Sequence, residues 1–296
     1  ASGKSAVAMA AARSMAERGV GVDLVSIDSM QVYRGMDIGT AKPSAAERRA
    51  VPHHCIDLVE ATEEFTVADF RAAYAEALDR IARTGRRAVL VGGTGLYHRV
   101  VVDDFDLPGE YPVVRHELER ESDTEALYRR LVELDPAAAS KMEPANRRRV
   151  VRALEVTLGA GRAFSSFGPG VDHYPDTPVA QLGIRWPRDV LADRIERRVH
   201  EMVAAGLVAE VGALAHRGLS RSAGQALGYK EILEYLESRI SQDEAVEQII
   251  TRTRQFAVRQ ERWFRRDPRV RWVDVEADPV AECVPTVVDL LENATT

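Results

Sequence analysis

Ala1-Ser2-Gly3-Lys4-Ser5 matches the second half of the phosphate-binding pattern G-x-x-x-x-G-K-S/T. In such a loop, backbone N–H groups and the N-terminus of the following helix surround di- or triphosphate oxygens. The lysine neutralises phosphate charge and the serine hydroxyl ligates Mg²⁺. The context is right for that chemistry. Ala6 to Ala16 is an alanine-rich helical stretch, and the β-like run Val22 to Ile27 follows it. The loop's first glycine and the next two residues are expected to precede Ala1. The residues Ala1 to Ser5 leave the identity of the phosphate open.

Two further groups belong on the same side of such a sheet. Asp28 ends the strand after the loop's helix, where a carboxylate helps hold Mg²⁺ or accepts a proton from an incoming nucleophile. Capping of a following helix is the alternative role. Ser29-Met30-Gln31-Val32-Tyr33 places polar groups and an aromatic ring beside the acid, as a site gripping a planar base requires. Gly92-Gly93-Thr94-Gly95-Leu96-Tyr97 follows the apolar run Arg87 to Val91, and its glycines let backbone approach a ligand closely. Thr94 is then a hydrogen-bond donor facing phosphate or the reacting centre.

The elements that position these groups are legible from periodicity. Residues 1 to about 100 alternate helical and strand-like segments. These include a short strand over Pro52 to Leu58, a helix over Val67 to Thr84 and a fully buried strand over Arg87 to Thr94. This alternation after a phosphate-binding loop predicts an α/β fold, a P-loop doubly wound parallel sheet, with ligands outside the carboxyl ends of its strands. From Asp103 the pattern turns helical (about 113–121, 124–134, 136–141 and 145–158), and 159–178 is rich in Gly, Pro, Ser and Asp. Residues 103–178 therefore read as a helical insertion in a core made of 1–102 and 179–296. A strand over Ala180 to Trp186 is expected to resume the sheet. Helices follow at about 187–205, 207–217 and 242–266, then a strand over Val270 to Val275 and a short terminal helix.

The chain has 296 residues, 45% hydrophobic and 29% charged, with a net charge of −6, which describes an ordinary soluble protein. No apolar run reaches the ~20 residues of a membrane span, and no signal peptide is visible, so a cytoplasmic location is expected. Cys55 and Cys283 lie far apart without metal-ligand spacing and read as inert thiols. The acidic total argues against nucleic acid, but the arginines are concentrated. Arg147, Arg148, Arg149 and Arg152 form one group. Arg252, Arg254, Arg259, Arg262, Arg265, Arg266 and Arg269 form another, opposed locally only by Glu261 and Asp267. Few local acids leave these arginines for an anionic partner.

The motifs together resemble one family. Ala1 to Ser5, Asp28 to Tyr33, Gly35-Met36-Asp37-Ile38-Gly39-Thr40-Ala41-Lys42-Pro43, Pro52-His53-His54 and Val91 to Tyr97 are similar to tRNA dimethylallyltransferases (tRNA isopentenyltransferases) of bacterial type. So are Arg152-Ala153-Leu154-Glu155, Gln225-Ala226-Leu227-Gly228-Tyr229-Lys230-Glu231 and Arg259-Gln260-Glu261-Arg262-Trp263-Phe264. The blocks run in the family's order along nearly the whole chain. The Cys₂His₂ zinc finger of eukaryotic relatives is absent from the sequence.

The resemblance implies transfer of a dimethylallyl group from dimethylallyl diphosphate to N6 of the adenosine beside the anticodon, in tRNAs reading codons that begin with U. It implies that Ala1, Ser2, Gly3, Lys4 and Ser5 hold the diphosphate, with Ser5 on Mg²⁺. Asp28, Thr94 and Arg198 then face the reacting groups, and Asp28 accepts the N6 proton. Asp28, Ser29, Met30, Gln31 and Thr94 contact the tRNA at the flipped base, and Arg115, Arg148, Arg149, Arg152, Arg254 and Arg259 contact it elsewhere. By spacing alone Arg198 suits an exposed ion pair, and Arg197 faces another direction. Tyr33 and Trp263 are the candidate stacking rings, with buried packing the better reading for Trp263. A monomer is expected. The rival readings are an ATP-binding P-loop small-molecule kinase, an adenylate isopentenyltransferase acting on free nucleotide, and a non-catalytic nucleotide-binding regulator.

Overall fold

A computed structural model describes residues 1–105, 107–168, 170 and 173–293. The chain forms two compact units, Ala1–Val101 with Asp176–Thr296, and Val102–Pro175. The first unit begins with α1 (Lys4–Glu17), β1 (Val22–Ile27), β2 (Tyr33–Arg34), α2 (Ala45–Ala50), β3 (His53–His54) and β4 (Val59–Glu60). It continues through α3 (Val67–Arg83), β5 (Arg87–Gly92) and α4 (Gly95–Val102). β1 lies between β3 and β5 in a parallel sheet, with Val22 opposite Arg87 and Ile27 opposite Gly92. That register brings the carboxyl ends of β1 and β5 side by side. Asp28 and Thr94 therefore leave the sheet together, on the side where open α/β sheets place ligands.

All of β1 is buried, as a parallel strand covered on both faces must be. Met15, Ala11 and Val288 pack with it on one face; Phe70, Ala77 and Ile81 of α3 pack on the other. β5 differs from expectation, being half-buried throughout its length. Among the described residues it hydrogen-bonds to β1 alone, so one flank has no neighbouring strand to cover it. The expected strand over Pro52 to Leu58 shrinks to His53–His54. Cys55 and Asp57 take positive φ angles of 59° and 55°, which break the ladder.

The second unit contains α5 (Pro112–Arg120), α6 (Thr124–Leu134), α7 (Pro136–Ala139) and α8 (Arg147–Ala160), then a 3₁₀ turn over Phe164–Phe167. Leu118, Leu127, Leu131, Val150 and Leu154 form its core. The stretch 159–178 falls partly outside the described residues.

The chain then returns to the first unit through β6 (Gln181–Arg185), α9 (Arg188–Ala204), α10 (Leu207–Arg217), α11 (Arg221–Gly224) and α12 (Tyr229–Leu236). It ends with α13 (Gln242–Phe264), β7 (Val270–Asp274) and α14 (Pro279–Asn293). β6 does not resume the first sheet. It pairs in parallel with β7, where Gly183 opposite Trp272 leaves room for the indole; a Cβ there would lie 2.6 Å from the ring. The short helices α2, α4, α11 and α12 carry too few turns to stand out in the sequence. The terminal helix, expected to be short, runs for 15 residues. Helices α9, α10, α12 and α13 bury Val199, Leu207, Tyr229, Ile232 and Ile250 against Val32, Tyr33 and Met36, which supports the segment following Asp28. The architecture is mixed α/β with parallel sheets.

Candidate active site

At the carboxyl end of β1, Asp28 Oδ1 accepts a hydrogen bond from Met30 N–H at 2.9 Å. Residues 28–32 form a turn with no helix after it, so the carboxylate does not cap one. Ser29 N–H donates to Thr94 Oγ1 at 3.1 Å, and Thr94 N–H donates to Ile27 O at 3.4 Å. These bonds tie the Asp28 turn to the glycine-rich turn after β5. A Cβ at Gly92 would collide with Ile27 O, so only glycine permits the two turns to approach this closely.

Lys4 and Arg198 complete the cluster. Burial lowers the pKa of Lys4, Asp28 opposes that fall, and Arg198 adds to it. Arg198, half-buried on α9, is likewise lowered by burial, with Asp28 opposing. Two cations thus lie within electrostatic reach of one carboxylate. Arg197, its neighbour, is exposed and faces Glu201 at 3.9 Å, so adjacent arginines have separate roles. The loop before α1 is braced from behind. Gly3 stands at φ 91°, a left-handed conformation suited to glycine. Trp186 Nε1 donates to Ser2 O at 3.1 Å, Arg194 Nε donates to Ala1 O at 3.0 Å, and the Arg194 guanidinium lies over the Trp186 ring. Sequence reading did not single out Trp186 or Arg194; neither lies in a motif.

The residues after Asp28 serve the protein more than their spacing implied. Gln31 Oε1 accepts from the buried Ser26 hydroxyl at 2.8 Å, and its Nε2 donates to Thr40 O at 3.1 Å. Its amide therefore links β1 to the Gly35–Lys42 loop. Met30 packs against the α9–α13 cluster. Tyr33 is 1% exposed, which removes it as a stacking ring.

That loop is itself held by an internal anion. The Glu210 carboxylate on α10 accepts from the N–H groups of Asp37, Ile38 and Gly39 at 3.0, 2.7 and 3.1 Å, and from the Tyr229 hydroxyl at 2.5 Å. A Cβ at Gly39 would collide with the Tyr229 ring. Glu210→Gln replaces one accepting oxygen by a donor facing donors. It is expected to lower unfolding stability by about 2 kcal/mol in a denaturant titration. Amide exchange should quicken at residues 37–39 first.

The sequence model of the IPP transferase family matches residues 31–267. The chain belongs to the IPP transferase family. A tRNA dimethylallyltransferase of Thermobifida fusca is 45% identical over 95% of this chain and 89% of its own length. That of Geobacter metallireducens is 46% identical over 93% of this chain and 89% of its own. The solved tRNA isopentenylpyrophosphate transferase of Bacillus halodurans is similar with TM-score 0.71 and 38% identity, covering 99% of this chain and 94% of that one.

In this IPP transferase the arginine groups divide by partner. Local sequence shows few acids near Arg252 and Arg254, but the fold supplies them from other elements. Arg252 pairs with the 1%-exposed Glu231 of α12, and Arg254 pairs with Glu196 of α9 at 2.7 Å. Arg152 bonds Glu155 and Pro108 O, both at 2.8 Å, and Arg147 bonds the carbonyls of Glu119 and Glu121 that end α5. Arg115 pairs with Glu119 one turn on. Arg148 and Arg149 are exposed on the first turn of α8. Arg259 is exposed on α13, its guanidinium 5.9 Å from the centre of the Phe256 ring. Trp263 is half-buried against Gly95. Both thiols are buried, and burial pushes Cys55 up to about 11.

Proposed function

We propose that the protein transfers the dimethylallyl group of dimethylallyl diphosphate to N6 of the adenosine 3′-adjacent to the anticodon, in tRNAs reading codons that begin with U. The observation that carries the reading is the clustering of Asp28 with Lys4 and Arg198 beside Thr94, in a chain of the IPP transferase family. The N6 lone pair attacks the allylic C1. The C1–O bond breaks and diphosphate leaves with the bonding pair, while the N6 proton passes to the Asp28 carboxylate. Adenine's amine is a poor nucleophile because its lone pair is delocalised, so a positioned base and a still substrate both matter. Lys4 and Arg198 put positive charge where diphosphate charge develops.

The loop Ala1 to Ser5 is read as a P-loop holding diphosphate, within a doubly wound core formed by the first unit. Ser5 is exposed on the first turn of α1 and presents a hard oxygen donor. Among the described residues, no three His, Cys, Asp or Glu side chains converge on a metal position. The Ser5 hydroxyl fits Mg²⁺, which binds through one or two protein oxygens plus phosphate oxygens and water. When bound, Mg²⁺ supplies further positive charge to the leaving group.

The adenine leaves the anticodon-loop stack at a cost of about a few kcal/mol and is held by Ser29 and Thr94, on a turn that Met30 and Gln31 anchor to the protein. The second unit is read as a helical insertion serving the tRNA. Arg115, Arg148, Arg149 and Arg259 suit phosphate contacts that set the register of the stem-loop; Arg152 and Arg254 contribute mainly by fixing their own elements. Lys4, Asp28, Thr94 and Arg198 come from one chain, so a monomer suffices, and a tRNA acceptor fits a cytoplasmic location. None of the helices among the described residues is long and apolar enough to cross a membrane.

The test is transfer of radiolabelled dimethylallyl groups, with Mg²⁺, to unmodified tRNA whose anticodon ends in A. AMP and ATP serve as rival acceptors. Label in tRNA is expected. Label in AMP assigns an adenylate isopentenyltransferase, and consumption of ATP without prenyl transfer assigns a kinase.

A further inference from the structure

The glycine-rich turn after β5 is gripped from two sides. On one side, Thr94 N–H donates to Ile27 O and Thr94 Oγ1 accepts from Ser29 N–H. On the other, Gln260 Nε2 of α13 donates to Gly93 O at 2.9 Å. A Cβ added at Gly93 would collide with Gln260 Nε2, and one at Gly95 would collide with Trp263 Nε1. Gln260 and Trp263 are three residues apart and share one helix face. The two glycines around Thr94 are thus the space into which that face fits. Arg259, beside Gln260, is exposed on the same turn of α13.

The geometry points to Gln260 as a positioning residue for Thr94: its hydrogen bond to the Gly93 carbonyl fixes the peptide that carries Thr94, and so the threonine's place beside Asp28. This rests on the reading that Thr94 faces the reacting groups. Without the bond, the Gly93–Thr94 peptide is held only through Thr94 N–H, at 3.4 Å from Ile27 O, and a displacement of a fraction of an ångström at a reacting centre is costly in rate. Binding of tRNA along exposed arginines does not pass through this bond.

Gln260→Met keeps the length and removes the donor. In the full chain it is expected to slow single-turnover prenyl transfer on the order of tenfold, with KM for tRNA within about twofold of the parent. Gly93→Ala displaces the Gln260 side chain from the other side and should reproduce the loss, which also serves if Gln260→Met fails to fold. The double variant Thr94→Ala/Gln260→Met is expected to be no slower than Thr94→Ala, because both act through one group. Multiplying losses in the double variant, or a rise in KM at unchanged kcat, would overturn the proposal. A slowed Thr94→Ala beside an unaffected Gln260→Met also overturns it while sparing the role of Thr94. Unchanged transfer in Thr94→Ala overturns both.

Discussion

Asp28→Asn is expected to slow single-turnover prenyl transfer by ~10²–10⁴-fold, the span for loss of the general base proposed at this position. The substitution separates chemistry from structure. The new amide's oxygen would still accept the Met30 N–H bond that shapes the turn, so the sheet edge and the Thr94 contact stay in place. The amide cannot take up a proton. Asp28 is also the anion that Lys4 and Arg198 both feel. Removing its charge leaves those cations facing the diphosphate alone, so donor affinity holds or rises while the rate falls. Rapid-quench transfer alongside filter binding of tRNA and labelled donor checks both halves. Unchanged turnover would make Asp28 a turn residue and nothing more.

The largest effect on stability is expected at Lys42. Its side chain is 1% exposed, and Nζ donates to Asp57 Oδ1 at 2.6 Å, Asp37 Oδ1 at 2.9 Å and Tyr33 O. One ammonium thus joins the loop that Glu210 holds, the positive-φ turn at Asp57 and the segment behind Gln31. Lys42→Met fills much of the volume but leaves Asp57 to Arg48 alone and strips Asp37 and Tyr33 O of their shared ammonium, at a cost of about 3 kcal/mol. Lys42→Arg is not expected to restore it, because a planar fork does not replace a compact ammonium with three diverging donors.

A pH signature accompanies this loss. Burial alone would raise the Asp57 carboxyl, but hydrogen bonds from Lys42 and Arg48 outweigh it and hold the group below the usual carboxylate range. A carboxyl depressed in the folded state stabilises the protein above its unfolded pKa of about 3.9. That contribution is lost as pH falls through the folded value. Denaturant titrations between neutral pH and pH 3 should show this acid-limb loss in the parent and a smaller one in Lys42→Met. Equal limbs would mean that the pairing with Lys42 does not set the titration.

The legible parts of the sequence were those whose information is local. α1, α3, α9 and α13 show their apolar faces at helical spacing, and β1 shows a short run of Val, Leu and Ile broken only by Asp23 and Ser26, because each buries one continuous surface. The Gly3-Lys4-Ser5 loop, Asp28 at a strand end and the glycines around Thr94 were legible for a related reason: their chemistry depends on residue type and on the turn that carries them. The helices α11 and α12 were not, since four and eight residues carry too few turns for a period to show.

Tertiary structure decided how the polar side chains are used. Arg252 and Arg254 look unopposed along the chain, yet Glu231 and Glu196 reach them from other helices. Gln31 sits where a base-gripping amide is wanted, yet Ser26 and Thr40 engage it. Gln260 shows in the sequence only as one residue of a basic motif, and the fold sets it on the Gly93 carbonyl. Residue type limits which bonds a group can form. Whether those bonds are spent inside the protein or left for a ligand depends on which distant atoms the fold brings within about 3 Å.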